Sequence, residues 1–262
     1  MEIACYNTPM HGFLPFLPFF YGWFSGILVN YLADILPASR KISRPNCWSC
    51  DHPQPWLNYF LWPRRCPQCG KRRRIRVWLV ELAAILIAFW LSSNSPNNLG
   101  MAWSGVLLLY FGLVFIIDIE HRLILHPVSI VGAGLGLIIG TSLHGIVPTL
   151  FGGFAGFGIM LFFYYFGEYF ARFLARRRGI DFDDVALGFG DVNLAGVIGL
   201  LLGWPGIIAG LFITVFSAGA VSLLFILGML LFRRYRAFTA IPYAPFLIFG
   251  AVIALFFKEL IL

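Results

Sequence analysis

The chain has 262 residues, of which 60% are hydrophobic and only 12% are charged. A soluble domain needs about 25% charged residues to cover its surface, so this composition excludes a soluble globular protein. The 28 glycines point the same way, since glycine is more frequent in membrane helices than in soluble ones. We therefore expect a protein that crosses a membrane several times.

Eight apolar runs alternate with polar segments, and each run is a candidate membrane-spanning helix. They cover about residues 13–37, 77–91, 101–117, 127–139, 147–170, 191–203, 207–232 and 241–257. From these runs we predict an all-α fold with about eight transmembrane helices. We also predict three parts: an N-terminal tail with the first helix (1–37), a basic cytoplasmic loop (38–76), and a membrane core of about seven helices (77–262).

The formal net charge is +7, and its distribution decides what it means. The 19 Lys and Arg residues lie in short clusters between the apolar runs. If the eight spans alternate in direction, 18 of these residues lie on one side of the membrane and only Lys258 lies on the other. This asymmetry follows the positive-inside rule, which places the basic loops in the cytoplasm. A groove for nucleic acid would instead gather the basic residues on one surface, so we expect no nucleic-acid partner.

Two CxxC pairs occur in the loop 38–76. Cys47 and Cys50 form the first pair, Cys66 and Cys69 form the second, and fifteen residues separate the pairs. Thiols in the cytoplasm are kept reduced, which favours a metal site over a disulfide. This spacing is typical of a tetrahedral zinc site with four cysteine ligands, which is closed and structural. Reduced structural or redox thiols are the alternative.

Two aspartates lie directly at the ends of apolar runs. Asp118 follows the run 107–117, and Asp191 precedes the run 192–202. Under the predicted topology both lie at the cytoplasmic ends of their helices, and hence at one depth. Two carboxylates at one depth in a poorly hydrated site can share a proton, as in aspartic proteases. The ionised carboxylate would then activate water, while the protonated one would polarise a carbonyl group.

Asp191 ends the short motif Gly188-Phe189-Gly190-Asp191. Without a Cβ atom, Gly188 and Gly190 can adopt positive φ and would let a substrate backbone approach closely. Other interpretations stay open on the residues alone. Asp191 would serve only as an N-cap and Asp118 as a charge at a helix end, or both would bind a cation in a transporter or channel. A non-catalytic membrane scaffold is a further alternative.

Several motifs, in this order and spacing, resemble the type IV prepilin peptidases, the leader peptidase/N-methyltransferases of bacterial pilus and type II secretion systems. The resemblance covers nearly the whole chain. It rests on residues 30–37, the paired CxxC motifs, Val80-Glu81, Asp118-Ile119-Glu120-His121-Arg122, Gly188-Phe189-Gly190-Asp191-Val192 and Leu201-Leu202-Gly203-Trp204.

This resemblance implies that Asp118 and Asp191 are the catalytic pair of an aspartyl endopeptidase in the inner membrane, with its active site facing the cytoplasm. It implies cleavage of prepilin or pseudopilin substrates after a glycine, followed by methylation of the new N-terminus with S-adenosylmethionine. The partners would be these substrates and the pilus or type II secretion machinery. The segment between the CxxC pairs is shorter than is usual in the family, so a peptidase without methyltransferase activity is an alternative.

Overall fold

The computed structural model describes residues 16–61, 64–94, 99–178, 188–231 and 242–257, and of residues 171 and 174–178 it describes only the backbone. All nine regular elements in these ranges are α-helices, so the prediction of an all-α fold is confirmed. They are α1 (Phe16–Ser39), α2 (Trp56–Phe60), α3 (Ile75–Asn94), α4 (Gly100–His121), α5 (His126–His144), α6 (Ile146–Arg178), α7 (Phe189–Leu202), α8 (Gly206–Leu231) and α9 (Ala244–Phe256).

Six of the described helices are long and apolar enough to cross a membrane, namely α1, α3, α4, α5, α8 and the segment Ile146–Phe170 of α6. The apolar helices α7 and α9 have only 14 and 13 residues, which corresponds to about 20 Å of helix. The prediction of a multi-pass membrane protein is therefore confirmed, with six full-length spans and two shorter apolar helices. The basic segment 233–236 and Lys258, on which the predicted topology partly depends, lie outside the described residues.

The chain forms two compact units. Unit 1 comprises residues 1–35 and 41–95, and unit 2 comprises residues 36–40 and 96–262. Unit 1 therefore contains most of α1, the loop with α2, and α3, whereas unit 2 contains α4 to α9. The predicted three-part division at residues 37 and 76 stays a prediction.

In unit 1, α1 and α3 lie so close together that side chains are excluded at the contact. A Cβ atom on Gly22 would lie 2.6 Å from the Cα atom of Ile85, and one on Gly26 would lie 2.8 Å from the Cα atom of Glu81. One turn further along α1, the buried Asn30 side chain donates a hydrogen bond from Nδ2 to a backbone carbonyl of α3 (3.1 Å).

The basic loop is fastened to the end of α1 by one acidic side chain. Asp34 accepts hydrogen bonds from the Tyr59 hydroxyl (2.6 Å) and from Arg73 (2.5 Å), and it also pairs with Arg76. The Arg73 guanidinium lies over the Tyr59 ring, 3.8 Å from its centroid. Burial, followed by the nearby charge of Asp34, raises the pKa of the Tyr59 hydroxyl, so this group stays protonated and remains a donor.

In unit 2, α7 is the central helix. It packs against α5, α6, α8 and α9, while α9 also packs against α4 and α8. The contact between α6 and α7 is made by backbone atoms. A Cβ atom on Gly199 would lie 2.1 Å from the carbonyl oxygen of Gly152, and one on Gly152 would lie 2.4 Å from the carbonyl oxygen of Gly199.

We expect the substitution Gly199→Ala to destabilise unit 2. The new methyl group would meet backbone atoms, which cannot rotate away, and overpacking of this kind costs about 1–3 kcal/mol. Gly158→Ala on α6 is the matched control, because nothing lies within 4 Å of a Cβ atom at that position. Thermal unfolding of the purified proteins in detergent measures the difference. Equal melting temperatures for the two variants would contradict the importance of this contact.

Candidate active site and metal centre

The four predicted zinc ligands lie together in the loop of unit 1. Their Sγ atoms are all within 4.8 Å of one another. The Sγ atoms of Cys47 and Cys69 are 3.7 Å apart, and those of Cys50 and Cys66 are 3.6 Å apart. Four sulfur atoms at about 2.3 Å from a tetrahedral zinc ion would be separated by about 3.8 Å. The cluster therefore has the donor type and the spacing that tetrahedral zinc requires.

Both halves of this cluster use the same backbone turn. The Asp51 N–H donates to the carbonyl oxygen of Cys47 (2.9 Å), and the Gly70 N–H donates to that of Cys66 (3.0 Å). Asp51 and Gly70 both have positive φ, at 55° and 67°. Each turn reverses the chain directly after a CxxC pair, and this reversal points both thiols of the pair in the same direction.

The turns also favour ionisation of the first thiol in each CxxC pair. The pKa of the Cys50 thiol is instead raised to about 12, because a lowering hydrogen bond from the His52 backbone is outweighed by desolvation and by contacts with the other three thiols. Burial opposes ionisation of Cys47, but hydrogen bonds from the backbone of Ser49 and Cys50 lower the pKa of its thiol to about 6. A hydrogen bond from the backbone of Cys69 likewise lowers the pKa of the Cys66 thiol. Since the thiolate is the form that binds metal, the described cluster can hold a zinc ion.

Asp118 lies in the last turn of α4, and its side chain is buried. The helix ends three residues later at His121, and Arg122 follows in the left-handed conformation (φ 51°), with its N–H donating to the Asp118 carbonyl oxygen (2.8 Å). The positive charge of Arg122 acts on the Asp118 carboxylate. The carboxylate oxygen Oδ2 is buried and has no hydrogen-bond partner among the described residues, so it is free to bind a ligand.

Asp191 lies in the first turn of α7 and is also buried. Its backbone N–H donates to the carbonyl oxygen of Gly188 (3.0 Å). Unpaired N–H groups at a helix N-terminus favour a negative charge there. The two aspartates thus lie at opposite ends of their helices, one at the C-terminus of α4 and one at the N-terminus of α7.

The structure brings these two aspartates together. The charge of Asp118 acts directly on Asp191, and both side chains belong to unit 2. The start of α9 reaches the same place, because the Ala244 backbone interacts with the Asp118 carboxylate and Tyr243 lies within the electrostatic reach of Asp191. Two buried carboxylates, a backbone amide and a phenol hydroxyl therefore form one polar group within apolar surroundings. Their catalytic role stays a prediction.

The two motif glycines differ from the expectation about their backbone. Gly188 has φ of −74°, and Gly190 lies inside α7 and is not among the glycines with positive φ. Neither glycine therefore uses the positive φ that glycine permits, because the chain enters α7 through an extended residue and then turns directly into helix. Gly190 has another role: a Cβ atom there would lie 2.7 Å from the Cβ atom of Ile124. Its close approach to a substrate stays a prediction.

Sequence reasoning missed three residues of this region, namely Ile124, Tyr243 and Ala244. Tyr243 and Ala244 lie in the sequence Ile241-Pro242-Tyr243-Ala244-Pro245. Its two prolines occur at the start of the last apolar run, which is a signal for the beginning of a helix. Proline is favoured in the first turn of a helix, and α9 begins at Ala244. Ile124 had no signal, since an isoleucine between two helices is common in any membrane protein.

Comparisons with known proteins agree with this site. The type IV leader peptidase family matches residues 105–223 of the chain, which include both aspartates. A protein of Aeromonas salmonicida (strain A449) named prepilin leader peptidase/N-methyltransferase is 26% identical over 229 residues, covering 83% of this chain and 72% of the relative.

Two further relatives carry the same name. The protein of Pseudomonas aeruginosa is 28% identical over 85% of this chain and 75% of its own length. The protein of Aeromonas hydrophila is 27% identical over 86% of this chain and 76% of its own length. No solved structure matches the chain. The resemblance to the type IV prepilin peptidases is thus confirmed over most of the sequence.

We expect the purified protein to bind one zinc ion through the four clustered thiols. Cys66→Ser should lose most of the metal, because a hydroxyl group is a poor zinc ligand and a structural site needs all four donors. Metal analysis of the protein after exchange into metal-free buffer measures this. Cys5→Ser is the control, since it leaves the four thiols in place, and equal zinc contents in the two variants would exclude the cluster as the site.

Proposed function

On its likeness to the type IV prepilin peptidases, we propose that this protein is a membrane aspartyl endopeptidase acting on prepilin-like substrates. It removes the leader peptide and then methylates the new N-terminus with S-adenosylmethionine. The observation that carries the proposal is the juxtaposition of Asp118 and Asp191, both buried, within the segment that matches the type IV leader peptidase family. The names of the three relatives support both activities.

In the proposed chemistry the two aspartates share one proton. Two carboxylates that interact this closely in apolar surroundings do not both ionise easily, so one carboxyl group stays protonated. The ionised carboxylate accepts a proton from the attacking water, and the protonated carboxyl group donates a hydrogen bond to the scissile carbonyl oxygen. The free Oδ2 atom of Asp118 suits either role, because no protein donor occupies it among the described residues.

The proposed location is the inner membrane, with the aspartates facing the cytoplasm. The support is the charge distribution, since nearly all Lys and Arg residues fall on one predicted side and Asp118 and Asp191 lie at helix ends on that side. The substrates would be prepilins or pseudopilins that are themselves anchored in the membrane by an apolar helix. The pilus or type II secretion machinery would receive the processed product.

Two further components belong to the proposal. Zinc would be bound by the four clustered cysteines and would fold the loop without taking part in the chemistry, because a closed site with four thiolate ligands leaves no open position for a substrate. S-adenosylmethionine would supply the methyl group. A peptidase that lacks the second activity is the alternative, and the mass of the product distinguishes the two.

Replacement of either aspartate should abolish leader cleavage. In Asp118→Asn or Asp191→Asn the shared proton is lost from the pair, and general acid–base catalysis is worth at least about 100-fold. The measurement is co-expression with a panel of epitope-tagged prepilins, followed by intact-mass analysis of the products. A leader-sized loss in the wild type reports cleavage, and an added methyl group reports the second activity.

Glu120→Gln is the matched control for this experiment, because it removes an exposed carboxylate two residues from Asp118. It should leave cleavage intact. Cleavage that survives both Asp→Asn substitutions would exclude the aspartates as the catalytic pair. Ion flux that depends on both acids, in the absence of proteolysis, would favour the transporter interpretation instead.

The contact between Gly190 and Ile124 gives a second test. A methyl group in Gly190→Ala would meet the Ile124 Cβ atom at 2.7 Å, so the first turn of α7 must shift and carry Asp191 with it. A misplacement of about 1 Å can cost about 100-fold in rate. The double variant Gly190→Ala/Ile124→Gly removes the clashing atom and should recover most of the cleavage, with Ile124→Gly alone as the control. Full activity of Gly190→Ala would show that this contact does not position the aspartate.

A further inference from the structure

Unit 1 contains a second group of buried polar side chains, which includes neither the two aspartates nor the four cysteines. Asn30 on α1, Glu81 on α3 and Arg64 in the loop are all more than nine-tenths buried. Glu81 accepts a hydrogen bond at Oε2 from Nη1 of Arg64 (2.8 Å). The other nitrogens of Arg64 donate to the carbonyl oxygen of Phe60, so each of its three side-chain nitrogens has a partner within the protein.

The backbone of Arg64 is held in an uncommon conformation to make this pair. Its φ is 53°, in the left-handed region that side-chain-bearing residues rarely adopt. Its guanidinium also lies over the Trp78 ring, 4.8 Å from the centroid. Unfavourable backbone conformations of this kind persist where surrounding contacts enforce them, and they are concentrated at functional sites.

Two acceptor atoms in this group have no donor. Oδ1 of Asn30 and Oε1 of Glu81 are both buried and lack a hydrogen-bond partner among the described residues. Buried acceptors are almost always satisfied in native proteins, so each such exception calls for an explanation by water, an ion or a ligand. Here two exceptions occur on facing helices.

The two acceptors belong to residues at the contact between α1 and α3. Nδ2 of Asn30 is bonded to the carbonyl oxygen of Val77, which is one turn before Glu81 on α3. Side chains on a helix lean toward its N-terminus, so the Glu81 carboxylate lies over the turn that contains Val77. The missing side chain of Gly26 leaves the space for it, since a Cβ atom there would lie 3.1 Å from the Cγ atom of Glu81.

The chemistry of the two atoms selects the ligand. Both are acceptors, and one belongs to a carboxylate, so they would repel an anion and would not interact favourably with a hydrophobic group. They suit a compact group with several N–H donors and a positive charge. A primary ammonium group meets both conditions, because it donates three hydrogen bonds and gains a charge-assisted one from the carboxylate.

We propose that Asn30 and Glu81 bind the α-ammonium group of a reactant in the N-methylation step. The proposal rests on the proposed function, which brings two such groups to the protein. One is the amino group of S-adenosylmethionine, and the other is the new N-terminus of the cleaved substrate. In both, the ammonium group is attached to an α-carbon that also carries a carboxylate or peptide carbonyl carbon. The same two acceptors therefore suit either group.

If the substrate amine is the ligand, Glu81 has a further task. The amine must lose a proton before its nitrogen lone pair can form the new N–C bond. The Glu81 carboxylate accepts that proton. The C–S bond of the donor breaks with its electron pair on sulfur, which yields S-adenosylhomocysteine and balances the reaction.

The test uses the full-length protein in detergent, as wild type, Glu81→Gln and Asn30→Leu. Glu81→Gln removes the charge, and Asn30→Leu removes an acceptor while leaving the Arg64–Glu81 pair intact. The second variant therefore tests the site even if the first lowers stability. The control is Glu168→Gln on α6 in unit 2, which also removes a glutamate paired with an arginine, in this case the exposed Arg172. Zinc content and melting temperature show whether each variant is folded.

Two quantities distinguish the two sources of the ammonium group. Calorimetry gives the Kd of S-adenosylmethionine in the absence of substrate, and methyl transfer to a pre-cleaved substrate gives the KM of the amine. Loss of a hydrogen bond to a charged group predicts a weakening of about 10- to 100-fold in one of them. A raised Kd identifies the donor's amino group, whereas a raised KM with unchanged Kd identifies the substrate's N-terminus. In the first case, an analogue of S-adenosylmethionine without its amino group should bind wild type and Glu81→Gln equally.

Unchanged Kd and KM in both folded variants would overturn the proposal. It would equally be overturned if the wild type cleaves prepilins but neither binds S-adenosylmethionine nor methylates the product. If the wild type processes no prepilin, the proposed function fails instead. The calorimetric Kd of S-adenosylmethionine then still decides the role of Asn30 and Glu81, since that measurement needs no prepilin.

Discussion

The backbone contact between α6 and α7 is the constraint on which the arrangement of unit 2 depends. Where Gly152 meets Gly199 no side chain fits, and this allows a helix of only 14 residues to be enclosed by α5, α6, α8 and α9. Without a hydrophobic driving force between helices in lipid, close packing of small residues is what holds them together. The position of α7 in turn fixes Asp191 at its first turn, so a contact of glycines about two turns along the helix contributes to where the carboxylate lies.

The described part of the chain buries three carboxylates, and their negative charges are balanced in different ways. Glu81 has a fixed partner in Arg64, with both side chains only 7% exposed. The charge of Asp118 acts on Asp191, and the negative charge of this pair is balanced by Arg122, the Ala244 backbone and the N-terminus of α7. Glu81 is paired with a cation, whereas the two aspartates act on each other and can share a proton. The first arrangement suits binding of an ammonium group, and the second suits activation of a water molecule.

Much of this architecture was predictable, because single segments encode it. Apolar runs predicted the helices, CxxC spacing predicted the cysteine cluster, and the two aspartates were conspicuous directly at the ends of apolar runs. Hydropathy marks where a helix leaves the membrane and not where it ends, so α6 continues to Arg178 although the predicted run stops at 170. Contacts between segments were not predictable. The Gly190–Ile124 contact joins residues 66 positions apart, and the partner of Glu81 lies in a loop whose fold depends on its own turns.

The cysteine cluster and the buried polar group of unit 1 are connected through the chain between them. Arg64 lies two residues before Cys66, and Arg73 follows Cys69 by four. Arg64 pairs with Glu81 on α3, while Arg73 binds Asp34 near the end of α1. The free energy of metal binding at a site of this kind contributes directly to the folding of the loop that carries it. A zinc ion bound by the four thiols would therefore fix the positions of both arginines. A closed metal site can thus matter for chemistry without touching a substrate, since it holds the guanidinium that pairs with Oε2 of Glu81 and leaves Oε1 without a partner among the described residues.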